Sequence, residues 1–308
     1  MGLAAPLPLE GKKILQELCR GKTDWDDPVP ENIRIMWEKW RKELHVLEEL
    51  SVPKCYKPAN FGHIISAELH HFSDASTRGY GQCSYLRLKK DQGQVHCSFV
   101  IGKARVTPLK PITVPRLELT AAVVSVKTSE QLQRELEYEE VRDVFWTDSK
   151  VVLGYIANET RFHIFVANWL QQIQDRTSPN QWHYVDTKLN PADHASRGLS
   201  AQGLLKSNWI IGPTFLLKEE SQWHTPLPSE EQEMLQLSYD DPEIKKSISL
   251  ATNVEEPFAN LLSRLDYFSD FHREREPSPS VAVTRRSSRN EHPTRLGQTQ
   301  QRLQILSQ

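Results

Sequence analysis

Four carboxylates in this chain stand where regular elements begin or end, and together they could hold divalent cations. Asp74 closes the apolar run of HHFSDAS. Glu118 lies in RLELTAA, one turn into a helical pattern, with Ala121, Ala122 and Ser125 on the adjoining face. Asp148 follows Val144-Phe145-Trp146 in WTDSK, and Asp193 lies in NPADHASRG just after Pro191. Two divalent ions about 4 Å apart can activate a water, stabilise a leaving oxygen and clamp a phosphate between them. Magnesium or manganese takes oxygen ligands and magnesium retains waters, so three or four carboxylates suffice without His or Cys. Strand ends fix such groups, whereas loops would let mutual repulsion spread them. Taken singly, each acid has a simpler use. Asp148 could cap a helix starting at Lys150, Asp193 could cap its own short helix, and Glu118 could be merely solvated. The joint order of Asp, Glu, Asp and Asp on those elements favours a two-metal site.

The elements that must position these acids can be read from periodicity. Residues 70–76 resemble the end of a strand. Residues 79–90 and 94–106 read as two strands joined through Asp91, Gln92 and Gly93, a hairpin turn. Residues 115–136 read as a helix with Pro115 in its first turn. A buried strand at 144–146, a helix at 150–157, a helix at 165–176, a strand at 181–186 and a helical turn at 191–197 complete a mixed α/β sheet. Upstream, residues 28–50 form a strongly amphipathic pattern, with Ile33, Met36, Trp37, Trp40, Leu44 and Leu47 in one stripe behind Asp26 and Asp27. A shorter helix is expected over 11–19. Downstream, residues 201–272 read as a linker or extension with short helices, among them an amphipathic stretch at 257–271. Residues 273–308, rich in Ser, Pro, Arg and Gln, are expected to be a disordered tail.

The bulk numbers exclude several classes. The chain has 308 residues, 38% of them hydrophobic, and no apolar run near the roughly 20 residues a bilayer requires. No basic leader precedes the apolar N-terminus, and Pro6 stands where a myristoylation signal wants Ser or Thr, so membrane targeting is not expected. Cys19, Cys55, Cys83 and Cys97 lie far apart, which argues against a zinc site and suits reduced thiols in the cytoplasm or nucleus. A net charge of −2 means that any nucleic-acid contact must come from local basic patches.

HHFSDAS, LELTAA, FWTDSKVVLGYI and NPADHASRG, in that order, resemble the RNase H region of retroelement polyproteins, closest to the BEL/Pao class of LTR retrotransposons. TRFHIFVANWLQQI resembles the family's helix between the third and fourth acids, and WIIGPTFL the segment after the domain. Upstream, GLAAPLPLEGKKILQELCR and the Trp-rich helix resemble the end of that family's reverse transcriptase, so residues 1–60 read as a helical remnant of it and 64–200 as the RNase H-like domain. The resemblance implies a five-stranded mixed sheet with flanking helices. It makes Asp74, Glu118, Asp148 and Asp193 the acids that bind two Mg2+ or Mn2+ ions, and an RNA–DNA hybrid or other nucleic acid the partner. Such enzymes hydrolyse the RNA strand, leaving 5′-phosphate and 3′-hydroxyl ends. Ser73, Ser149 and Arg197 neighbour the acids and could touch substrate, whereas His194 reads as a surface histidine. The family's helix usually carries an arginine where this chain has Trp169, so one basic contact is absent. The Tyr-x-Asp-Asp polymerase turn, the zinc module and the integrase core are also absent, which implies polymerase and integrase partners in a longer polyprotein. The other readings are a non-catalytic nucleic-acid-binding or scaffold remnant, and DNA cleavage or strand transfer on the same fold.

Overall fold

In the computed structural model the structure describes residues 2–91, 93–136, 138, 140–223, 235–238 and 240–246. The expected amphipathic stretch at 257–271 and the expected tail at 273–308 lie outside the described residues, as does Gln92 of the hairpin turn.

Five strands form one sheet in the order β3-β2-β1-β4-β5. These are β1 (Ile64–Ala75), β2 (Gly79–Lys90), β3 (Val95–Val106), β4 (Val141–Thr147) and β5 (Trp182–Tyr184). The first three form an antiparallel meander, while β4 and β5 run parallel to β1. A parallel partner needs a crossover, and α3 (Val114–Glu135) supplies the one between β3 and β4. It is followed by α4 (Lys150–Ala157) and α5 (Ile164–Gln174), with α6 (Asp193–Arg197) and α7 (Ala201–Lys206) after β5. Before the sheet come α1 (Pro6–Arg20) and α2 (Glu31–Glu43).

β1 runs from Ile64 to Ala75, so its end falls in the expected stretch of 70–76, and its first half carries Glu68. Glu68 is 6% exposed and is held by Arg87, its cross-strand partner on β2, at 2.8 Å and by Arg142 at 3.1 Å. A buried carboxylate is tolerated only when paired in this way.

Two apolar layers cover the sheet. On one face Phe145, Leu119, Val123, Tyr155, Val166 and Trp182 pack beneath α3, α4 and α5. On the other, Leu9 of α1 joins Phe72, Tyr85, Phe99, Trp146 and Trp209 in a single cluster. The N-terminal helix and the residues beyond 201 therefore share the core of the sheet. Fully burying side chains of this size stabilises by about 1.5–3 kcal/mol each.

The stripe of the Trp-rich helix differs from expectation. Ile33 is buried, but Met36 is 44% exposed and Trp37 38% exposed, and the α-helix ends at Glu43 before a 3-10 segment at Leu44–Glu49. Periodicity shows that a helix has an apolar face; it does not show that a neighbour covers it. No helix among the described residues is long and apolar enough to cross a membrane.

Candidate active site

Parallel pairing of β1 and β4 brings Asp74 and Asp148 to one sheet edge. Ser73 pairs with Thr147, so the next residue of each strand or its extension is an acid. α3 starts near that edge and carries Glu118 one turn in, while α6 approaches from the opposite face with Asp193 in its first turn. The approach of α6 depends on Gly81, the cross-strand neighbour of Asp74. A Cβ there would lie 2.8 Å from Cβ of Ala195 and would also collide with the carbonyl oxygen of Lys103. α1 braces the far end of α6: the buried Lys13 ammonium donates to the carbonyl of Arg197, and Leu199 N–H donates to the carbonyl of Pro6 at 3.3 Å.

The capping roles that would explain the acids more simply are not theirs. Ser149, not Asp148, caps α4, accepting from the Val152 amide at 3.2 Å. Asp193 lies inside α6 and makes no cap hydrogen bond, while the Asn190 side chain accepts from the Ala192 amide at 3.1 Å. Glu118 is half-buried and accepts from the Ser149 hydroxyl at 2.5 Å instead of facing solvent.

Each acid is turned toward a donor of its own. The buried Ser196 hydroxyl donates to Asp74, and the Asn190 amide donates to Asp148 at 3.2 Å and to the Ser73 carbonyl at 3.1 Å. Arg197 pairs with Asp193. Among the described residues no three His, Cys, Asp or Glu side chains already form a ligand cluster. Unneutralised carboxylates repel, so side-chain conformations that accept a hydrogen bond are preferred to bare convergence.

The electrostatics nevertheless couple the acids. Asp74 is 7% exposed. Burial is the largest influence on its carboxyl and, with the charges of Asp148, Asp193 and Glu118, pushes it up to about 7 against the opposing hydrogen bond from Ser196. Glu118 is also pushed up to about 7, by burial first and by the charge of Asp148, against the hydrogen bond from Ser149. The donor set is all oxygen, which suits Mg2+ or Mn2+.

The remaining expected contacts divide. Ser149 stands in the site. Ser73 is 1% exposed and its hydroxyl donates to the Trp146 carbonyl at 3.4 Å, so it serves the sheet and is closed to a phosphate. Arg197 is exposed at the rim. His194 lies 3.0 Å, through Nε2, from Oδ1 of Asn208, away from the acids' donors. Sequence reasoning missed Asn190 and Ser196; both lie in NPADHASRG, where an Asn before Pro and a Ser three residues after the acid were the available signal.

Residues 1–149 match the family described as Pao retrotransposon-like RNaseH-like domain, a span that includes Asp74, Glu118 and Asp148 and ends before Asp193. No curated protein matches the chain. Among solved structures, the N-terminal RNase H domain of Rv2228c from Mycobacterium tuberculosis is 13% identical with a TM-score of 0.29, covering 42% of this chain and 91% of its own. RNase H1 from Halobacterium salinarum NRC-1 is 9% identical with a TM-score of 0.25, covering 42% and 93%. LC11-RNase H1, solved in complex with an RNA/DNA hybrid, is 10% identical with a TM-score of 0.25, covering 42% and 93%. The family match over residues 1–149 supports a Pao/BEL-class retrotransposon RNase H region, and the chain folds its strands into a mixed five-stranded sheet with flanking helices.

Proposed function

We propose that this domain is an RNase H-type endonuclease that hydrolyses the RNA strand of RNA–DNA hybrids, with Asp74, Glu118, Asp148 and Asp193 holding two Mg2+ or Mn2+ ions. The observation that carries this reading is geometric: β1 and β4 bring Asp74 and Asp148 to one end of the sheet, and α3 and α6 bring Glu118 and Asp193 toward it from its two faces. The Asp74 carboxyl is buried and pushed up to about 7 among three further acids from separate elements, with Arg197, at the rim, the nearby cation paired to one of them. Divalent cations at that edge would remove this repulsion and supply water activation and charge stabilisation at the phosphate.

The chain's own groups would hold the acids in register. Ser196 and Asn190 orient Asp74 and Asp148, and Ser149 ties Glu118 to the start of α4. Arg197 is exposed, and with Asp193 engaged by a cation it would be free to meet a backbone phosphate.

The test is hydrolysis of a labelled hybrid with Mg2+, comparing the intact chain with Asp148→Asn. Cleavage of the RNA strand that ends at 5′-phosphate and 3′-hydroxyl groups and disappears in the variant is the expected result. Cleavage that persists in the variant overturns the assignment. Binding without cleavage by both chains would identify a non-catalytic nucleic-acid-binding protein, and equal cutting of duplex DNA would identify a DNA-cleaving one.

A further inference from the structure

On the α3 face of the sheet, a cleft of about 450 Å3 opens between Tyr80 of β2, Lys103 and Arg105 of β3, Lys127 of α3, and Phe165 and Trp169 of α5. Leu117 and Thr120 of α3 also border it. Its lining holds three cations and no carboxylate. Lys103 is partly buried, and its hydrogen-bond partner is the neutral Gln131 side chain at 3.2 Å. Burial, and then the neighbouring Arg105, pushes the Lys103 ammonium below its usual range. Two adjacent cations thus face the cleft without an anion between them. The aromatic side is equally organised: Lys127 Nζ lies 5.6 Å over the Trp169 ring, and Phe165 meets that ring edge-on at 5.8 Å.

Adjacent uncompensated cations call for an anion, and flat rings beside them call for a flat apolar group attached to it. A nucleotide has both. A paired base cannot enter such a cleft, because its Watson–Crick edge and both faces are covered in the duplex, whereas an unpaired base can stack on an aromatic ring. We propose that this cleft grips an unpaired nucleotide of a nucleic-acid strand, with the phosphate at Lys103 and Arg105 and the base against the Tyr80 and Trp169 rings. Trp169 stands where the related helix usually carries arginine, so the position gives up a charge and gains a stacking surface, while Lys103, Arg105 and Lys127 supply the cations from other elements. The proposal rests on the nucleic-acid reading of this domain and not on its turnover.

The test uses the full chain in EDTA, so that binding is read without cleavage, and follows fluorescence anisotropy of a blunt RNA–DNA hybrid and of the same hybrid with a single-stranded oligothymidylate tail. The tail is expected to tighten binding by about tenfold, and Lys103→Gln/Arg105→Gln and Trp169→Leu should each remove most of that gain while leaving the blunt hybrid unchanged. With two cations gone, the slope of log affinity against log salt for the tail should fall by about 1.4. Thermal melting keeps the reading independent of folding, and the paired Gln variant, which relieves crowded charge, is the one least threatened. No gain from the tail, equal loss for blunt and tailed hybrids, or competition by polyglutamate as strong as by oligothymidylate would each overturn the proposal. Cleavage of the blunt hybrid in Mg2+ is read separately, so an inactive chain that keeps the tail effect leaves the cleft standing.

Discussion

Replacing Asp74 with Asn should stabilise the metal-free protein at pH 8, although it removes the acid on which the proposed chemistry depends. The carboxyl moves from an ordinary 3.8 to about 7 on folding. A group whose folded value is raised contributes its stability fully below the unfolded value and loses it as pH rises through the folded one. The loss therefore falls between about pH 4 and pH 7, and above that window the ionised carboxylate costs the fold about 4 kcal/mol at most, at about 1.4 kcal/mol per tenfold. Water penetration and relaxation of Ser196 should roughly halve this. For a unit of this size, about 2 kcal/mol corresponds to a rise in Tm of about 4 to 8 °C. Asn keeps an oxygen for the Ser196 hydroxyl, so the hydrogen bond survives. The assay is melting of both chains from pH 4 to pH 8 in EDTA, read as their difference. The difference matters because His70, held at about 4 by burial against its bond to Glu68, gives the opposite slope between pH 4 and its ordinary 6.5. Mg2+ should raise the Tm of the natural chain more than that of the variant. A variant that melts at or below the natural chain at pH 8, or a difference that does not grow with pH, would refute the reasoning.

Three further perturbations test the supports of the site. Ser149→Ala removes both the donor to Glu118 and the cap of α4, which should cost about 1 to 2 kcal/mol in urea denaturation and lower hybrid cleavage, with Ser149→Thr restoring most of each. Gly81→Ala forces β2 against Ala195 and should cost about 1 to 3 kcal/mol, with a loss of cleavage in Mg2+ at temperatures where the protein remains folded. Arg87→Met removes the closest partner of Glu68, whose carboxyl, against burial, is held at about 2 by the His70 hydrogen bond and the charges of His70, Arg87 and Arg142. The change should cost about 3 to 5 kcal/mol at pH 7, and the double variant with Glu68→Leu should recover more than half of it in a double-variant cycle.

The acids could be found in the sequence because each closes or opens an element whose apolar pattern is local. The flanking strand and helix are visible within ten residues of each one. Their partners could not be found that way. Asn190 reaches Asp148 and the Ser73 carbonyl, and Ser196 reaches Asp74, across the whole crossover and second half of the sheet, a register that only the assembled fold defines. The burial of Ser73, expected as a substrate contact, has a related reason. Its hydroxyl meets the Trp146 carbonyl of the neighbouring strand, and adjacency in sequence to an acid says nothing about which face a side chain occupies. The first half of β1 carries Glu68, whose burial depends on Arg87 standing opposite it, a pairing that only the register of β1 and β2 defines. The Trp-rich helix shows the reverse failure: its periodicity is real, yet Met36 and Trp37 remain exposed because no element among the described residues covers that side.

What distinguishes these acids from structural ones is that the fold does not need them. Ser149 caps α4 and α6 has no side-chain cap at all, so neither Asp148 nor Asp193 serves to start a helix. Asp74 does not serve the fold either: burial and the neighbouring acids push its carboxyl up to about 7, and an asparagine would keep its hydrogen bond without the charge. Glu118 bears the same burden at about 7. Under the proposed function, a cation bound by these carboxylates, which stand on elements arriving from both faces of the sheet at one edge, would offset that burden. The Asp74→Asn melting curve therefore bears on function as well as stability, since a gain in stability on removing the acid is what a cation site without its cation requires.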